Sequence, residues 1–154
     1  MEILLHLLIG LATFAGMEFM AWFTHKYVMH GFLWVLHKDH HQPEKGWFER
    51  NDAFFLFYAA ISTTLFILWS EGYFEFGLSM GLGIFFYGFT YFAVHDVFIH
   101  QRLNWFKRSD NPYFRAIRKA HKVHHKHLGK EHGECFGMLV VPSKFFKEAK
   151  QAKR

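Results

Sequence analysis

Ten of the 13 histidines fall into four short boxes: His25-Lys-Tyr-Val-Met-His30, His37-Lys-Asp-His40-His41, His95-Asp-Val-Phe-Ile-His100 and His121-Lys-Val-His124-His125. The pattern HxxxxH followed by HxxHH therefore occurs twice. On a helix the histidines of HxxHH, at i, i+3 and i+4, share one face within about one turn, so three imidazoles can converge. The step of five in HxxxxH turns about 140° and climbs roughly 7.5 Å on an α-helix, so the two rings serve different metals unless the helix unwinds between them. Gly31, directly after His30, favours such a break. A structural zinc site closes with four ligands, usually including Cys, so ten convergent histidines overfill one site and suit two. Imidazole suits Fe, Zn, Cu and Ni alike, and spacing does not choose among them. Two redox-active irons beside a membrane would activate oxygen against a C–H bond, chemistry that a metal supplies and side chains do not. His6, His127 and His132 stand outside the boxes and read as core or surface residues, although the last two follow the final box closely enough to substitute as ligands.

The boxes need elements to position them, and each pair begins where an apolar stretch ends. Ile3 to Phe23, Ala53 to Trp69 and about Gly77 to Val94 are long and apolar enough to cross a bilayer as helices, which takes roughly 17 to 25 residues. The first has only Met1 and Glu2 before it, so it lacks the positive region of a signal peptide and reads as a retained helix. The second and third are joined by residues 70–76, whose Gly72 and acids Glu71 and Glu75 suit an aqueous turn, so they form a hairpin. All 18 Lys and Arg lie from Lys26 to Arg50 or from Arg102 onward. Positive residues stay cytoplasmic, which puts both basic regions and all four boxes on the cytoplasmic side and the amino terminus outside. The expected fold is one all-α integral membrane domain over residues 1–154, with about three transmembrane helices and a cytoplasmic helical cap carrying the histidines.

Composition agrees. Apolar residues make up 51% of the chain while the mean hydropathy is only -0.01, so greasy and polar stretches must alternate. The formal charge of +5 is accounted for by topology and attraction to anionic lipid, ahead of nucleic-acid binding. The single cysteine, Cys135, excludes a disulfide framework within the chain and a cysteine-based zinc or iron–sulfur site. No HExxH occurs, which argues against a zinc protease.

Ligating imidazoles pass their other ring N–H to a carboxylate or carbonyl. Asp39, Asp52 and Asp96 are the candidates, with Asp96, directly after an apolar helix, the strongest. Glu18 lies inside the first apolar segment, where an ionisable group is costly, and is expected to face the bundle and support the metal shell or a neighbouring helix. Tyr91, one turn before His95, is a candidate for the substrate cavity, with simple packing the commoner role. Gly77-x-x-x-Gly81 permits close helix contact. Residues 101–118 mix Trp105, Phe106, Tyr113 and Phe114 with Arg102, Lys107, Arg108 and Arg115, as a lid over the site and a basic docking face would. Asp110, Asn111 and Pro112 signal the start of the helix that carries the last box.

The four boxes in this order resemble the membrane-bound fatty acid hydroxylase superfamily. Gly16-Met-Glu18, His25 to Gly31, Asn51-Asp52, Tyr91-Phe-Ala-Val-His95-Asp96, His100-Gln-Arg102, Gly129-Lys-Glu131 and Phe136-Gly137 are similar to its bacterial β-carotene hydroxylase branch. That resemblance implies a non-haem di-iron monooxygenase. It would use O2 and electrons from a ferredoxin-type donor to hydroxylate carbon 3 of a β-ionone ring, taking β-carotene to zeaxanthin through β-cryptoxanthin. It carries ligand roles to His25, His30, His37, His40, His41, His95, His100, His121, His124 and His125. The short amino terminus is unlike plant members, which carry a plastid-targeting extension, and implies a bacterial cytoplasmic membrane. Related enzymes acting on fatty acyl chains, sterols or ketocarotenoids share the boxes. A histidine-rich metal transporter is the reading from another class, and it should place its ligands near the bilayer midplane.

Overall fold

The computed structural model describes residues 1–43, 46–103, 105 and 109–151. Helix α1 (Glu2–Phe23) runs on without interruption into a π-helical segment (Thr24–Phe32), which breaks at Gly31. A short helix, α2 (Trp34–His41), follows and carries the second box. Helices α3 (Asp52–Ser70) and α4 (Gly77–Tyr91) form the expected hairpin, and α4 continues as a second π-helical segment (Phe92–Ile99). Helix α5 (Pro112–His124) carries the last box and α6 (Ser143–Gln151) packs beside it. Among the described residues no strand forms.

Three helical stretches are long and apolar enough to cross a membrane: Glu2–Phe32, Asp52–Ser70 and Gly77–Ile99. The shortest, at 19 residues, is about 28 Å long, close to the thickness of a bilayer's hydrocarbon core. Their outer faces are apolar and exposed, as Ile3, Leu11, Phe57 and Phe89 illustrate, and several of their polar side chains pair between helices. His6 Nδ1 meets Ser79 Oγ at 2.8 Å, Thr24 meets Tyr58 at 2.7 Å, and Ser62 donates to the Gly81 carbonyl at 2.8 Å. With water absent, such pairs tie helices together where the hydrophobic effect cannot.

Small residues set the spacing. A Cβ on Gly83 would sit 2.7 Å from the Gly10 carbonyl of α1, and one on Gly81 would meet the Phe66 ring of α3. Gly77 and Gly81 therefore serve packing within the chain. Gly72, with φ +76, takes the left-handed turn of the hairpin.

At the other end of the bundle a second core forms. Val94, Phe98 and Ile99 of the second π segment pack on Ala116, Ile117 and Ala120 of α5 and on Phe145 and Ala149 of α6. Asn111 caps α5 by accepting the Tyr113 N–H at 2.8 Å, with Pro112 at the first helical position, as the start signal predicted.

Candidate metal centre

All four boxes meet at the end of the bundle where α1 and α4 finish. The rings form two adjoining clusters, each with ligand atoms within 4.8 Å of one another: His25, His30, His37, His41 and His124 in one, His40, His95, His100 and His121 in the other. His125 adjoins the second, with ring centroids 4.5 Å from His121 and 4.9 Å from His100, and it stacks on His41 of the first. All ten box histidines thus lie together, while the rings of His6, His127 and His132 belong to neither cluster.

Two expectations about spacing are corrected. The rings of each HxxxxH pair stand together rather than apart: His25 and His30 share the first cluster, with centroids 5.2 Å apart, and His95 and His100 the second, at 4.5 Å. The helix widens rather than unwinds, since the i→i+5 hydrogen bonds of a π-helix bring residues five apart onto one face. Nor do the three histidines of HxxHH converge on one point. His37 and His41 join the first cluster and His40 the second, whereas His121 joins the second and His124 the first. Each cluster is built from one HxxxxH pair and most of one HxxHH box, and receives the middle histidine of the other.

The ring orientations fit metal ions. His25, His30, His41 and His124 direct Nδ1 at the main-chain carbonyls of Phe136, Lys130, His127 and Glu134, at 2.9 to 3.0 Å. His37 Nδ1 meets the Asn51 side-chain oxygen and His40 Nδ1 the Glu49 carboxylate, both at 2.7 Å. These oxygens accept only, so each Nδ1 carries the proton and each Nε2 points inward as a bare lone pair. Nε2 of His25 lies 3.1 Å from that of His37, and Nε2 of His30 lies 3.2 Å from that of His124. Two lone pairs cannot hydrogen-bond, and a bound cation would make the approach favourable. Nε2 of His40, His41 and His125 are buried without a partner, as vacant ligand atoms would be.

Burial keeps His37, His41, His100 and His124 neutral, the form that binds metal. It pulls His37 down to about 2, aided by repulsion from neighbouring rings, and lowers His41 to about 4 and both His100 and His124 to about 3. An unfolded histidine titrates near 6.5. Between pH 6.5 and about 4 the unfolded chain therefore binds more protons than the folded one, and folding weakens as pH falls through that window. Thermal unfolding of chelator-stripped protein in detergent should give a flat Tm above pH 7 and a falling one below 6.5. A flat profile down to pH 4 would contradict the burial.

The carboxylates divide. Asp96 stands 3.4 Å from His95 Nδ1 and also binds Arg102, as expected of a supporting group. Asp39 instead accepts the Arg50 main-chain N–H, and Asp52 binds the Glu49 N–H and Arg102, so both order the connection between α2 and α3 rather than a ring. The carboxylate that holds His40 is Glu49, which sequence reasoning missed; burial raises it above the ordinary range while Arg102 pulls it back. Glu18 reaches no imidazole. Its Oε1 accepts the N–H groups of Met138, Leu139 and Val140, each at 2.9 Å, and its Oε2 accepts the Tyr87 hydroxyl at 2.7 Å.

An apolar cavity of about 370 Å³ opens between α1, α3 and α4 and reaches both clusters, touching His25 of one and His95 of the other. Met17, Phe54, Tyr58, Ile84 and Tyr87 form its walls, and Tyr91 lines it with its ring 4.7 Å from that of His95. Of the expected lid, Arg102 and Leu103 line the cavity; Trp47 and Phe48, from the other connection, do so too and were not singled out. Tyr113 and Phe114 pack on α6 and the second π segment instead. Phe106, Lys107 and Arg108 lie outside the described residues.

The fatty acid hydroxylase family matches residues 10–143. A β-carotene hydroxylase of Pantoea ananas is 41% identical over 135 residues, 88% of this chain and 77% of that protein. One from Pseudescherichia vulneris is 37% identical over 140 residues, 90% of this chain and 78% of the relative. A chloroplastic β-carotene 3-hydroxylase of Gentiana lutea is 38% identical over 133 residues, which cover 82% of this chain and 40% of the plant protein. No solved structure matches this chain.

Proposed function

This chain belongs to the fatty acid hydroxylase family, and from that premise we propose that it is a di-iron monooxygenase that hydroxylates carbon 3 of a carotenoid β-ionone ring. The observation that carries the reading is the apolar cavity between membrane helices that touches both histidine clusters. Its volume is at the lower end of the ~300–1,000 Å³ of small-molecule sites, so it holds the ring end of a long apolar molecule while the remainder stays in lipid. The reaction converts a ring C–H to C–OH, with O2, two electrons and two protons giving the hydroxyl and one water.

The five imidazoles of the first cluster and His40, His95, His100, His121 and His125 of the second would each hold one iron, which supplies the oxygen activation. The protein's own part is positional. Phe136, Asn51 and Glu49 fix ring tautomers, Tyr91 and Tyr58 shape the pocket that fixes the reacting carbon, and the apolar walls exclude water. The transporter reading is not favoured, because the rings gather at one end of the apolar helices. Expression in a β-carotene-producing bacterium should yield zeaxanthin by way of β-cryptoxanthin on chromatography. Unchanged β-carotene in cells supplied with iron and oxygen would sink the substrate assignment.

The basic end of the bundle, which includes exposed Lys119, Lys122, Lys126 and Lys130, faces the cytoplasm of a bacterium on this reading and receives an acidic ferredoxin-type donor. Inside-out vesicles should turn over with added reduced ferredoxin, more slowly as salt rises, and right-side-out vesicles should not. Equal turnover from both orientations would refute the arrangement.

A further inference from the structure

The two clusters differ in what stands behind their imidazoles. The five rings of the first direct Nδ1 at neutral oxygens only, four main-chain carbonyls and the Asn51 amide. In the second, His40 is backed by the Glu49 carboxylate at 2.7 Å and His95 by that of Asp96 at 3.4 Å. Arg102 holds both carboxylates in place, with nitrogens 2.8 Å from Glu49 and 3.2 Å from Asp96, and it also binds Asp52 at 3.0 Å. Three carboxylates around one guanidinium leave an excess of negative charge at the edge of the second cluster. Among the described residues no carboxylate is hydrogen-bonded to a ring of the first.

We propose that the two metal positions are inequivalent: the cluster of His40, His95, His100 and His121 binds a divalent cation more tightly and fills first, because Glu49 and Asp96 stand behind its ligands. A carboxylate on the outer N–H makes an imidazole a more basic ligand, and in a water-poor site its charge also attracts the ion directly. Altering one outer-shell partner typically costs 10- to 100-fold in metal affinity, and two carboxylates against neutral oxygens alone are expected to separate the binding steps by about tenfold or more. The inference rests on reading both clusters as metal centres.

Co2+ titration of the full chain, stripped of metal in detergent and followed by visible absorption, tests it. Wild-type protein should take up two ions in two resolved steps. Glu49→Gln should weaken the first step about 10- to 100-fold and leave the second in place. Asn51→Asp puts a carboxylate where His37 now has a neutral partner, and should tighten the second step and draw the two together. That gain in affinity is one that a disturbed fold would not give. Two equal steps in the wild type would overturn the inequality while leaving two centres standing. Unchanged spacing in Asn51→Asp would overturn the carboxylates as its cause, and uptake of fewer than two ions would overturn the two-centre reading and this inference together.

Discussion

Replacing His40 with Ala is expected to remove one metal ion of two and to reduce hydroxylation below about 1% of wild type. His40 sits between two histidines of the first cluster in sequence, yet its ring lies 4.5 Å from His100, 4.7 Å from His125 and 4.8 Å from His95, against 6.1 Å from its neighbour His41. Its Nδ1 is held by Glu49, and its Nε2 is buried with no partner. Outer-shell partners alone are worth 10- to 100-fold in affinity or activity, so deleting the ligand itself costs more. Metal analysis of the purified variant should find one ion per chain, held by the first cluster. His127→Ala, which keeps the main-chain carbonyl that orients His41, should keep both ions. Two ions and full activity in His40→Ala would refute the interleaving of the boxes.

The second large effect is expected at Glu18, which precedes the first box on the same continuous helix yet hydrogen-bonds to none of its rings. Its carboxylate gathers three successive N–H groups of the segment that follows Phe136, and the Phe136 carbonyl orients His25. The Phe136 ring also packs on His25, His30 and His124 and lines the cavity. Gly137 makes the approach possible, since a Cβ there would sit 2.7 Å from the Val140 carbonyl and 3.2 Å from Glu18 Oε1. Hydrogen bonds to a charged group contribute about 1.5–3 kcal/mol each, and three main-chain donors left unpaired add their desolvation. Glu18→Leu should therefore lower Tm sharply and release the metal of the first cluster. Glu18→Gln, which keeps an acceptor for the amides and can still pair with Tyr87, should fall between. Wild-type Tm and metal content in Glu18→Leu would show that the latch carries no load.

Much of this was legible beforehand. The three spans, the hairpin, the start of α5 and the gathering of ten histidines at one end follow from hydrophobic runs, turn residues and the boxes themselves. The pairing of histidines was not legible, for two reasons. An α-helical rotation sets the two rings of HxxxxH apart, whereas the chain adopts π-helix at both copies. In HxxHH, i+3 and i+4 stand about 100° apart around an α-helix, so on one side of a turn the box faces two points, not one. The supports of the rings were hidden more deeply. His25 is oriented by a carbonyl 111 residues away and His30 by one 100 residues away, and a main-chain oxygen has no signature in sequence. Glu49 carries a side chain that can be recognised, but it stands nine residues from His40, outside any box, whereas Asp39, inside the box, accepts from the Arg50 main chain.

Ten imidazoles from four separated segments, we propose, build two adjoining metal centres. X-ray absorption at the iron edge, combined with elemental analysis of protein purified from iron-supplied cells, tests it most directly. Two irons per chain are expected, ligated by nitrogen and oxygen with imidazole scattering, and no sulfur despite Cys135 beside Phe136. One iron or none per chain, or a sulfur ligand, would contradict it.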